Sequence, residues 1–255
     1  MKQKLIFLAV VLLSFNSRLS AQRSAFRTGY LRIGINTLGD DLNFNLTPKQ
    51  NIFDGRYGAG TGYVFEAGRL FYFKKRSAEP TLINFGLDWT YFSLNYNKMD
   101  KWNEYARSMG GSEENVSGTK TAAAISTKLG PVISLNIIEK LVLDARFQVA
   151  PLFRFFDFNY EQNYGQSNGQ YFTFIGTGAA NDEDFDGESV KNRISFGVAT
   201  SFGITIRRKA FGLAIDYISG KVNNYYEASE GGLSTTSGKE KIPAHNLQLK
   251  LSLTL

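Results

Sequence analysis

Few residues in this chain are of types that could do chemistry. Cysteine is absent from the 255 residues and His245 is the only histidine. That excludes a disulfide framework, a thiolate metal site, a cysteine nucleophile and a multi-histidine metal centre. A hydrolase of the Ser-His kind would have to use His245. A serine two residues further on would share its strand face, but that place is Leu247, and Asn246 points the other way. The spacing favours a histidine at a strand start over a catalytic base. The sharpest local motif is Asp182-Glu183-Asp184-Phe185-Asp186-Gly187. Carboxylates at alternate positions followed by Gly match the first half of a calcium loop, making Asp182, Asp184 and Asp186 candidate calcium ligands. The twelfth position, where a bidentate Glu belongs, is Arg193, so a solvated acidic loop is the competing expectation. No other cofactor is expected.

A third group is defined by parity. Arg32, Glu66, Asp88, Lys128, Asp144, Arg146, Arg193, Asp216 and Lys250, with Asn36 and Gln248, fall on the polar side of alternating segments. Asp144 and Arg146, two apart, share one face of their strand. Enclosed charges must be paired or hydrogen-bonded, so the expectation is a salt-bridge network filling an interior rather than an ion path.

The elements that would position these residues read as strands. Leu247, Leu249, Leu251, Leu253 and Leu255 alternate with Asn246, Gln248, Lys250, Ser252 and Thr254, and Ile194–Ile206, Ile83–Tyr91 and Leu141–Val149 repeat the pattern. The alternation predicts eight strands, at 25–37, 58–74, 81–97, 118–136, 139–158, 190–208, 210–222 and 243–255. Further hairpins at 42–46 or 171–175 stay open. Connections after strands two, four and six are short, and several are basic, as in Lys74-Lys75-Arg76 and Arg207-Arg208-Lys209. The others, 38–57, 98–117, 159–189 and 223–242, are long and hold 16 Asp/Glu against 7 Lys/Arg.

An even-stranded meander with alternating long and short links resembles the small outer-membrane β-barrel proteins of Gram-negative bacteria, the eight-stranded OmpA/OmpX-like group. The resemblance covers the chain from about residue 25 onward, at the level of pattern rather than motif. It implies an all-β transmembrane antiparallel up-and-down barrel, short periplasmic turns and long extracellular loops. It also implies contact with outer-membrane lipid and with the barrel-assembly machinery. The chain ends in Leu255, where such proteins commonly end in an aromatic residue. A soluble lipocalin-like barrel would alternate equally well. However, the polar face of 193–207 is mostly Gly, Ala, Ser and Thr rather than Lys and Glu, which suits an interior. Trp89, Tyr91, Phe153, Phe155 and Tyr217 on one side, and Phe71, Phe73 and Phe211 on the other, are candidate interfacial girdles.

The amino terminus has the three-part form of a secretory signal: Lys2 and Lys4, an apolar run from Leu5 to Leu13, and small residues before a cut after Ala21. Removing 1–21 lowers the formal charge from +6 to +3, with 26 basic residues against 23 acidic. Residues 22–255 then form one domain. The basic residues are dispersed, so nucleic acid is not an expected partner. The expected role is non-catalytic, structural or recognitive at the envelope, through a surface ligand or envelope protein. The alternatives are an accessory subunit of a secretion or transport complex, docked through basic turns, and a barrel enzyme acting on lipid or peptide.

Overall fold

A computed structural model describes residues 26–73, 82–138, 141–162, 169–175, 193–230 and 235–255. The expected signal segment at 1–21, the calcium-like motif at 182–187 and the basic turn at 74–76 lie outside the described residues. The elements in chain order are β1 (Gly29–Leu38), α1 (Pro48–Phe53), β2 (Gly62–Tyr72), β3 (Ile83–Lys98), α2 (Trp102–Ser108), β4 (Val116–Ile138), β5 (Leu141–Gln162), β6 (Gln170–Ile175), β7 (Ile194–Arg208), β8 (Phe211–Glu230), β9 (Thr235–Pro243) and β10 (Asn246–Thr254).

All strand pairings are antiparallel. The path β1-β2-β3-β4-β5-β7-β8-β10 returns on itself because β10 pairs with β1 along Tyr30↔Thr254 to Leu38↔Asn246. The eight expected strands are thus an eight-strand ring of up-and-down order. Closure leaves the ring without a free edge, so the backbone hydrogen bonds of its strands are met within the sheet.

Alternation decides which side chains enter. Along β7, Ser195, Gly197, Ala199, Ser201, Gly203, Thr205 and Arg207 point in, while Ile194, Phe196, Val198, Phe202, Ile204 and Ile206 stay exposed. In β3 the parity slips once. A bulge opposite β2 and β4 leaves Tyr91 and Phe92 both outside, so that Thr90 and Ser93 both point in.

Two strands extend the ring at the end of the long connections. β6 pairs with β5 at Asn159↔Thr173, just beyond the point where β7 starts at Phe155↔Ile194, and so continues the line of β7. β9 keeps the register of β10 against β8, from Lys221↔Pro243 to Ile218↔Asn246. The segments 223–230 and 235–242, expected as loop, therefore form a hairpin that carries β8 past the ring. Val222 and Ile242 pair in register with both side chains buried. The open segment 171–175 is β6, whereas 42–46 is not a strand.

The connections 38–57 and 98–117 also hold helices, not plain polar loop. Thr47 caps α1 with its side chain accepting from the Gln50 backbone, Gln50 reaches back to the Thr47 backbone, and Pro48 sits in the first turn. α2 buries Trp102, Tyr105 and Ala106, the spacing of one helical face. Among the described residues no helix is long and apolar enough to cross a membrane.

Candidate functional site

At mid-height the interior is a closed cycle of alternating charge. Arg32 of β1 lies 3.7 Å from both Glu66 of β2 and Asp88 of β3. Glu66 meets Lys250 of β10 at 2.7 Å, Lys250 meets Asp216 of β8, Asp216 meets Arg146 of β5 at 2.5 Å, and Arg146 returns to Asp88 at 3.9 Å. Lys128 of β4 adds a second ammonium to Glu66 at 2.5 Å, and Thr205 of β7 accepts from Arg146. Every strand of the ring contributes, and each of these charged side chains is buried. The 3.7–3.9 Å links are Coulombic contacts rather than hydrogen bonds.

Neutral groups complete the shell. Tyr30 donates to Asp88 at 2.6 Å, Ser93 donates to Glu66 at 3.0 Å, and the Arg32 guanidinium lies 3.7 Å over the Tyr30 ring. Room for the network comes from glycine. A Cβ at Gly203 would stand 1.7 Å from Asp216 Oδ1 and 2.7 Å from Arg146 Nε.

Toward the short turns a second, separate pair forms. Arg207 Nε donates to Asp144 at 2.8 Å, and Asp144 also accepts from Ser134 at 2.5 Å. Asp144 and Arg146 share a face as their spacing requires, but each joins a different cluster. Arg207 was expected in an exposed basic turn; it is buried instead, which removes it from any docking patch there. Arg193 also departs from expectation. It stands at the start of β7, half-buried, and pairs with Asp157 rather than with the central cycle.

The long-connection end of the interior is apolar. Trp102 and Tyr105 of α2 pack with Phe158 and Tyr160 of β5, with Trp102–Phe158 centroids 4.6 Å apart. Phe156 stacks on Phe174 of β6 at 4.5 Å, and Tyr57 and Ile52 close the cluster from the first connection. Trp102 Nε1 donates to the Tyr57 carbonyl at 2.8 Å, and Tyr105 donates to the Leu46 carbonyl at 2.6 Å. Burial pushes the Tyr57 phenol up to about 12, with Arg154 working against the shift.

Outside, the ring is wrapped in exposed aliphatic and aromatic side chains, among them Ile33, Phe85, Leu129, Phe147, Phe202, Leu213 and Leu251. Trp89 and Phe71, expected at opposite rims, face each other across β2 and β3 at 6.5 Å, so they occupy one level.

The structure brings to His245 a residue that linear spacing missed. Ser219 of β8 stands opposite it, with Oγ 3.1 Å from Nδ1, and Tyr217 stacks on the imidazole at 6.3 Å. The signal lay in strand register, 26 residues away, not in local sequence. Among the described residues no carboxylate or amide side chain orients the other ring nitrogen, and no three His, Asp or Glu side chains gather as a metal site. Arg154 and Arg207 are interior charges that parity along β5 and β7 reaches; Arg154 lies within the expected strand 139–158, and only Arg207 is hidden by its reading as turn. No protein-family model matches the chain, and no curated protein matches it either. The class that fold and site define is therefore an all-β antiparallel ring with a charged interior and an apolar exterior.

Proposed function

We propose that the ring is a transmembrane β-barrel of a bacterial outer membrane, closed to ions, non-catalytic, and serving a structural or surface-recognition role. One observation carries the reading: burial is inverted. Ten Asp, Glu, Lys and Arg side chains are buried among the described residues, while Leu251 is 63% exposed, Ile33 56% and Ile215 54%. In water such a surface would exceed any patch a soluble monomer leaves uncovered. In hydrocarbon it is the favoured surface, and the closed strands leave no backbone group unmet. The outward leucines from Leu247 to Leu255 span nine residues, within the roughly 9–11 that a tilted strand needs to cross. The apolar cap and the charge cycle both fill the interior, as an eight-strand barrel requires.

On this reading residues 1–21 direct export, lipid and the insertion machinery are the obligatory partners, and the surface around α1, α2 and the β8–β9 hairpin is what a ligand meets. Folding the chain freed of residues 1–21 into short-chain phosphatidylcholine vesicles tests it. The expected product runs differently on gels before and after boiling. Ile204→Arg then costs about 2–4 kcal/mol in the bilayer. A chain that is folded and monodisperse in detergent-free buffer would end the reading.

A second reading rests on the Ser219–His245 hydrogen bond, which places a nucleophile and a base on the outer surface, where the exterior turns polar. It makes the protein an esterase of lipid. Fluorophosphonate labelling that is lost in Ser219→Ala and His245→Gln would replace the non-catalytic reading.

A further inference from the structure

Arg154 breaks the pairing rule that the rest of the interior obeys. It is 4% exposed, yet no carboxylate among the described residues lies within ion-pair distance of it. Its Nη1 donates to the Pro243 carbonyl at 3.1 Å and, at 3.5 Å, to the Tyr57 hydroxyl, and its Nε has no hydrogen-bond partner. Tyr57 is not the missing anion, because its burial keeps the phenol protonated well above neutral pH and its own proton goes to Pro243. The guanidinium borders a cavity of about 30 Å³ between the charge cycle and the aromatic cap. That is more than the roughly 10–15 Å³ that seats one water-sized particle, and far below what a sugar or acyl chain needs.

The cavity wall suits an anion. Besides Arg154 it carries Asn95, Asn97, Asn246 and Ser126, with Leu38, Leu152, Ile218 and five alanines making up the apolar remainder. Asn246 Oδ1 is buried and unpaired, and side-chain oxygen and nitrogen of an amide exchange by a simple flip, which would aim the donor there instead. Charge balance points the same way. The buried described residues include six cations, Arg32, Lys128, Arg146, Arg154, Arg207 and Lys250, against four anions, Glu66, Asp88, Asp144 and Asp216. The surplus is two. An isolated ion in such a setting is costly unless compensated.

We propose that this cavity is a binding site for one small monovalent anion of halide size, held by Arg154 with the amides of Asn95 and Asn246, since the Asn97 amide already donates to the Asn36 and Gly60 carbonyls. The inference stands whether or not the outer surface meets lipid. Bromide is the probe. Crystals of the protein grown in sodium bromide should show an anomalous peak in the cavity beside Arg154 Nε. In detergent, replacing gluconate by bromide at fixed ionic strength should raise the melting midpoint along a saturating curve. Asn246→Asp places a tethered carboxylate in the same cavity, and should remove both the peak and the halide dependence while the fold is kept. Arg154→Gln should remove them too. The proposal is overturned if the unaltered protein shows no peak at saturating bromide, or if the halide-dependent rise persists in Asn246→Asp. Both of those readouts survive even if Arg154→Gln does not fold.

Discussion

The two ends of β5 follow opposite rules on their inward face. Toward the short turns this face carries Asp144, Arg146 and Gln148, while the outward positions are Phe147, Val149, Pro151 and Phe153; from Ala150 and Leu152 to Tyr160 the inward side is apolar apart from Arg154. Toward the long connections the inward positions are Phe156, Phe158 and Tyr160, all fully buried, and the outward ones past Phe155 are Asp157, Asn159 and Glu161. The parity of the strand never changes; the polarity of its two faces does. β8 repeats the change, from outward Leu213, Ile215 and Tyr217 to outward Ser219 and Lys221. On the reading proposed above, the solvent outside sets the rule: one part of the molecule suits an apolar surrounding with its charges sealed within, and the other is a water-facing unit with an apolar core.

If the two regions differ in this way, removing one charge from the cycle should cost the most. Glu66 faces Lys128, Lys250 and Arg32 and accepts from Ser93. Glu66→Gln leaves buried cations uncompensated and is expected to destabilise the whole ring by about 3–5 kcal/mol. Urea unfolding in micelles, followed by gel mobility, measures it. An effect confined to the cap would erase the distinction between the regions.

The complementary change is Trp102→Ala. It deletes a buried indole that packs on Tyr105 and Phe158 and donates to the Tyr57 carbonyl. A large-to-small change of this kind costs about 3 kcal/mol. Here the loss should stay local. Protease should cut within 98–117 while the ring keeps its unboiled mobility, since none of the cycle's ion pairs touches α2. Loss of ring and cap together would show one cooperative unit.

How legible each region was follows from the same physics. The ring was readable because period two is a local signal: Leu247 to Leu255 declares its faces without reference to any other strand. Its interior charges were readable from parity until a neighbouring signal masked it, as when Arg208 and Lys209 made Arg207 look like turn. The cap was harder, because it exists only where two connections fold back onto β5 and β6. Its signals were present all the same, in the capping box Thr47-Pro48-Lys49-Gln50 and in the helical spacing of Trp102, Tyr105 and Ala106. Loop length and polarity drowned them. The Ser219–His245 contact and the want of an ion partner for Arg154 among the described residues were beyond reach, since the first depends on strand register and the second on which partners fail to arrive.

A smaller effect tests how the cap is fastened. Thr47 caps α1, and its hydroxyl also donates to Glu230 at the tip of β8, at 2.6 Å. Thr47→Ala is expected to cost about 1 kcal/mol, read as faster amide exchange across 47–54 with exchange in β10 unchanged. Slower folding of the ring itself would tie the connection to the strands more closely than the geometry suggests.

The smallest expected effect is a pH dependence that belongs to the apolar-cored end alone. Lys101, just before α2, donates to Asp41 in the first connection, and that hydrogen bond with its charge attraction holds the Asp41 carboxyl below its ordinary range. Because the folded value is lowered, the contribution to stability is complete above the ordinary carboxylate value of about 3.9 and is lost as pH falls through the lowered one. Both groups are well exposed, so the pair is screened and its contribution is slight. Asp41→Asn should therefore weaken protease resistance of 39–47 and 98–108 modestly at neutral pH. That difference from the unaltered protein should vanish in acid below the Asp41 titration, and shrink in high salt. If Asp41→Asn altered instead the acid sensitivity of the ring, the two regions would share an electrostatic link that the buried cycle and the exposed pair give no sign of.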